Sequence, residues 1–154
     1  LEYWVKSGVR GKLKLVGNIE PDILPLIECY FKRSDIEYIR FTEDLRSIFF
    51  DADVFLFPSL EEGSPLVTYL ALGAGLSCLV SPMGGGGIIQ HDKEGIVVEP
   101  HNESLWIKSI RDVFTDAELR NRLSLAAQKK ASEYLWAKVG RKRLEMLRRC
   151  IKNC

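Results

Sequence analysis

Short apolar runs alternate along this chain with stretches in which apolar residues recur every three or four positions. Runs of the first kind, at 12–16, 36–41, 54–58, 77–81 and 96–98, predict β-strands that are mostly apolar, as strands buried on both faces of a parallel sheet must be. Residues 22–31 and 45–52 read as helices between them. Trp106, Ile110, Val113 and Phe114 fall on one helical face, and Thr115 followed by Glu118 forms a capping-box signature that starts another helix. The alternation predicts an α/β fold: a Rossmann-like parallel sheet with helices on both faces and a helical C-terminal tail.

With 154 residues, 46% of them hydrophobic, the chain is sized for one domain with one core, and no linker-like segment divides 1–154. Its 22 basic and 21 acidic residues leave a net charge of +1, which argues against a nucleic-acid partner. The charge is uneven: Lys138, Arg141, Lys142, Arg143, Arg148, Arg149 and Lys152 face only Glu145 near the end. Cys29, Cys78, Cys150 and Cys154 show no CxxC spacing, and no signal-like or membrane-length apolar segment is present, so a reducing cytoplasm is expected. Beginning at Leu1 and not at Met, with its first strand-like run only at KLKLVG, the sequence reads as a piece of a longer protein.

The chemistry concentrates in ADVFLFPSLEEGSPLVTYLALGAGLSCLVS, which encodes strand, loop, helix and strand. Ligands of open parallel sheets bind beyond the carboxyl ends of the strands, and PSLEEGSP follows VFLFP. A helix capped by Ser64, with Pro65 in its first turn, would aim the free amides of Leu66 and Val67 at that crevice, a seat for a diphosphate. Gly73 and Gly75 are expected to stop this helix. Gly63 permits close backbone approach, and a Glu62 carboxylate accepts hydrogen bonds from sugar hydroxyls. An ordinary helix cap is the plainer reading of Ser64 and Pro65.

ADVFLFPSLEEG, with the helix and Gly-containing turn after it, resembles the hallmark of group 1 (family 4) glycosyltransferases. LVGN, ending near Gly17, resembles the family's strand ending in Gly. Gly84 to Gly87 fall at its glycine-rich loop, EGIVVEP resembles the segment before its last strand, and Trp136 stands where the family introduces its terminal helix. The resemblance implies the C-terminal, nucleotide-sugar-binding half of a GT-B fold, whose acceptor-binding N-terminal domain lies outside this chain. It also implies transfer of a sugar from a nucleotide diphosphate to a hydroxyl acceptor with retention, and no bound metal or other cofactor.

By position, Glu62 is similar to the motif glutamate that contacts the donor sugar. Gly63, Ser64, Pro65, Leu66 and Val67 would cradle the phosphates, with Gly17, Gly84 and Gly85 as further donor contacts. Leu70 occupies the position of a second glutamate that holds the ribose, and Gly87 that of a glutamate before the Ile-Ile pair. The family's basic residues that neutralise the diphosphate would precede LEYW. These departures leave open a degenerate, non-catalytic binding or interaction domain of the same fold.

Other readings are weaker. Asp51-Ala52-Asp53 has DxD spacing, but at the N-terminal end of its strand, where Asp51 more simply ends a helix. The glycine run lacks the Lys-Ser or Lys-Thr of a phosphate loop and reads as a flexible, sugar-facing segment. His91 and His101 are isolated, Cys78 reads as core, and Cys150 and Cys154 as incidental. A receiver-like module would need an acidic cluster that VFLFPS does not supply. For the basic tail, a solvated helix face is the first reading, docking onto an N-terminal domain the second, and peripheral contact with anionic lipid at the inner membrane face the third.

Overall fold

A computed structural model describes residues 1–152. Helix α1 (Glu2–Ser7) precedes strand β1 (Leu13–Val16); α2 (Leu24–Ile27) and a 3-10 turn (Glu28–Lys32) lead to β2 (Ile36–Ile39). Then α3 (Leu45–Phe50), β3 (Val54–Phe57), α4 (Leu66–Ala74), β4 (Ser77–Val80), α5 (Pro82–Gly85) and β5 (Gly95–Val97) alternate, and α6 (Glu103–Thr115), α7 (Ala117–Ala131) and α8 (Trp136–Lys152) complete the chain. All five strands lie where the apolar runs predict them.

Alternation along β4 feeds two cores. Cys78 and Val80 point into a cluster with Phe49, Ala71, Leu72 and Ala127, under α3, α4 and α7. Leu79 points the other way, into a cluster with Trp4, Val98, Trp106 and Ile110 under α1 and α6. Because β4 is buried on both faces, Cys78, Leu79 and Val80 are all apolar, and the buried Ser77 hydroxyl donates to the Arg120 carbonyl (2.7 Å). This is the α/β architecture with helices on both faces that the pattern implies.

The sheet itself differs from expectation. Among the described residues it is two parallel sheets, β1-β2 and β3-β4-β5, with no pairing between β1 and β3.

Local chemistry sets the helix ends. Asp44 caps α3 by accepting from the Ser47 amide (3.0 Å), and Asn102 caps α6 by accepting from Leu105 (3.2 Å). The cap of α7 is Asp116, which accepts from the Leu119 amide at 2.9 Å, and not Thr115, whose hydroxyl donates to the Arg111 carbonyl inside α6. Gly75, left-handed at φ 76°, ends α4, while Gly73 stays within it. The predicted helix at 22–31 breaks into α2 and a 3-10 turn; neither piece carries a buried residue that packing could use to hold a longer helix. Helix α1 is too short to show periodicity in the sequence.

Candidate functional site

The loop after β3 and the start of α5 are tied by a run of hydrogen bonds. The Ser59 hydroxyl donates to Glu62 Oε1 (2.9 Å) and to the Glu61 carbonyl (3.1 Å). Buried Ser81, at the end of β4, donates to the Ser59 carbonyl (2.5 Å) and accepts from the Gly84 amide (3.0 Å). Thr68, buried in the first turn of α4, donates to the Gly84 carbonyl (2.7 Å). Glu62 is thus half-buried and oriented by Ser59, and the turn that carries it is fastened to two strand ends and one helix.

Beside it, Pro65 is the N-cap of α4, and the Ser64 side chain makes no capping bond, contrary to the expected cap. The amide of Thr68 turns back to the Pro65 carbonyl (3.0 Å). Those of Leu66 and Val67 have no partner among the described residues, as the sequence anticipates. Gly63 is exposed, and a Cβ added there would touch nothing within 4 Å. Leu66 and Leu70, one turn apart, are 72% and 49% exposed, an apolar surface that α4 presents to solvent.

The glycine run departs from the flexible segment expected. Gly84 and Gly85 are buried in α5; a Cβ on Gly84 would sit 2.5 Å from the Phe57 carbonyl, and its own amide and carbonyl are taken by Ser81 and Thr68. They shape the floor and offer a ligand no free backbone group. Gly86 and Gly87, exposed and left-handed at φ 56° and 68°, form the rim. A Cβ on Gly86 would lie 2.9 Å from the Pro65 ring, so this rim borders the start of α4. Gly17, exposed at φ 128°, follows Val16, the last residue of β1, which lines one cleft with Pro58 and Val67.

The DxD-like pair lies at the opposite end of β3, where Asp51 ends α3 and pairs with Lys14. Its carboxyl is held below the ordinary carboxylate range by that lysine. His91 Nδ1 accepts from the Val97 amide (3.1 Å), a turn contact, and His101 is exposed. Burial of Cys78 pushes its thiol up to about 12, which leaves it an inert core residue. Cys154 lies outside the described residues. The Ser59–Ser81–Thr68 relay escaped the sequence reading; small hydroxyls at the ends of two apolar strands were its one signal.

The geometry is that of many α/β ligand sites: a loop carboxylate, a helix start with free amides and a glycine rim at the carboxyl ends of parallel strands. The family model for glycosyl transferases group 1 matches residues 5–116. A D-inositol 3-phosphate glycosyltransferase of Corynebacterium diphtheriae is 30% identical over 101 residues, 65% of this chain and 24% of that protein. The chain spans about a quarter of the length of the curated relatives it matches.

Two solved structures illustrate the fold. Anabaena HepE, in complex with UDP and glucose, superposes with a TM-score of 0.84 at 15% identity, over 95% of this chain and 42% of that one. The C-terminal domain of a group 1 family glycosyl transferase from Francisella tularensis gives 0.68 at 18% identity, over 85% and 90%. The motif loop, the α/β architecture and the match across most of the sequence converge: this chain belongs to the group 1 glycosyl transferases.

Proposed function

We propose that this chain is the donor-binding domain of a retaining glycosyltransferase, which takes a sugar from a nucleotide diphosphate and passes it to a hydroxyl acceptor. The observation that carries the reading is the pair of unpartnered amides of Leu66 and Val67 beside an oriented Glu62, on one rim with Gly86 and Gly87. A diphosphate at the start of α4 would meet these donors and the positive end of the helix, worth roughly 0.3–1 kcal/mol per favourably placed anion. As the leaving diphosphate gains charge the same groups stabilise it, and Glu62 orients the sugar through its hydroxyls. HepE, of the same fold, binds UDP and glucose, which supports a uridine nucleotide as the first donor to try.

The reading assigns no bound metal. It places the acceptor and the diphosphate-neutralising basic residues in polypeptide outside these 154 residues, and α8 as a surface that docks there. Leu70, in place of a ribose-holding carboxylate, favours weak binding by the chain alone. Thermal unfolding with UDP, GDP and uridine tests the proposal: the diphosphates raise the midpoint and uridine at equal concentration does not. Equal shifts from all three, or none, would count against a diphosphate seat.

A further inference from the structure

Strand β3 stops at Phe57, and Pro58 after it has no N–H to hold the chain, yet the loop that follows is fastened at once. The Ser81 amide makes the last ladder bond, to the Phe57 carbonyl (3.1 Å). In a parallel pair the next donor is the amide two residues on, that of Met83, to the Ser59 carbonyl. Met83 lies in α5 instead, and the Ser81 hydroxyl donates to the Ser59 carbonyl in its place. One residue at the end of β4 therefore grips the chain on both sides of Pro58.

From there a run of hydrogen bonds joins α4 to Glu62. The Thr68 hydroxyl donates to the Gly84 carbonyl, the Gly84 amide to Ser81, the Ser81 hydroxyl to the Ser59 carbonyl and the Ser59 hydroxyl to Glu62 Oε1. Thr68 and Ser81 are fully buried, so a ligand touches neither. Valine would fill the space of Thr68 with no polar group to satisfy, so the threonine contributes its bond to Gly84 and not its bulk.

The two ends of this run are the two halves of the candidate site. Thr68 follows Val67, whose amide is free among the described residues, and Glu62 has no partner there for Oε2. Ser59 has a single proton for Glu62 Oε1 and the Glu61 carbonyl, so one shared bond decides which Glu62 oxygen is left to accept from a ligand. Without it the half-buried glutamate samples several rotamers, and ordering them on binding weakens the contact.

We propose that Ser59, with Ser81 and Thr68 behind it, is a positioning residue: the run holds the Glu62 carboxylate at a set separation from the amides of Leu66 and Val67, so that one donor meets both at once. The assignment rests on the donor-binding reading and adds that recognition of the sugar depends on two hydroxyls that no ligand reaches.

Calorimetry with UDP and UDP-glucose separates positioning from folding. Ser59→Ala and Thr68→Val are expected to weaken UDP-glucose roughly fivefold or more and UDP by less than about twofold, while Ser59→Thr, which keeps the hydroxyl, keeps the affinity for UDP-glucose. Ser59→Ala should cost nothing further in a Glu62→Ala chain. Equal weakening of the two ligands, weakening of neither, or an undiminished Ser59→Ala effect in the Glu62→Ala chain would overturn the assignment. The side-chain scalar couplings of Glu62, measured without ligand, should report one rotamer in the unaltered chain and averaging in Ser59→Ala and Thr68→Val; couplings that stay the same overturn the positioning role by themselves. A chain that binds neither nucleotide while those couplings respond as expected defeats the donor reading and leaves the hold on Glu62 standing.

Discussion

Ser81 Oγ, fully buried, donates to the Ser59 carbonyl and accepts from the Gly84 amide, so Ser81→Ala leaves a half-buried carbonyl and a buried amide without this partner. A loss of about 1–3 kcal/mol in denaturant unfolding is expected. Gly84→Ala drives a methyl group against the Phe57 carbonyl and should cost a similar ~1–3 kcal/mol, whereas Gly63→Ala, in open space, should leave the midpoint unchanged. Asp35 sets a pH dependence. Arg33 first, then the Trp4 indole, holds its carboxyl below the ordinary range. A lowered folded pKa contributes stability that is present above the unfolded value and lost as pH falls through the folded one. Asp35→Asn should therefore flatten the stability loss below about pH 4, and acid titration of both proteins checks it.

At the scale of elements, the strands and the α3–β3–α4 region were legible because buried parallel strands must be apolar and Gly75 must end a helix there. Helix caps were legible less often: Ser64 carries the right chemistry for a cap but leaves the role to Pro65, and Asp116 outcompetes its neighbour Thr115. Gly84 and Gly85 were read as pliable, since a sequence does not reveal that a neighbouring carbonyl lies where a Cβ would go. From Trp136 to Ile151 helix α8 is exposed except for Val139, so truncation after Leu135 should change unfolding free energy by less than about 1 kcal/mol. Leu70→Glu restores an acceptor on the open side of α4. If ribose lies there, a charge-assisted hydrogen bond of about 1.5–3 kcal/mol should tighten UDP binding roughly tenfold or more by calorimetry.

The whole molecule is two parallel sheets sharing helical covers, with its candidate site on the rim of the three-stranded sheet. The division is invisible in the sequence, because each strand's apolar run says that it is buried and not which neighbour it meets. No helix of the described residues is long and apolar enough to cross a membrane, and α8 turns Arg141, Lys142, Arg148 and Arg149 to solvent. Since the proposed acceptor side lies outside these residues, the chain alone should show no sugar transfer. The most direct measurement is a titration of the isotope-labelled chain with UDP, following backbone amides. Saturable shifts led by Leu66 and Val67, with Gly63, Gly86 and Gly87, are predicted. Shifts that leave Leu66 and Val67 unmoved while others saturate, or none at millimolar UDP, would contradict a donor seat at the start of α4.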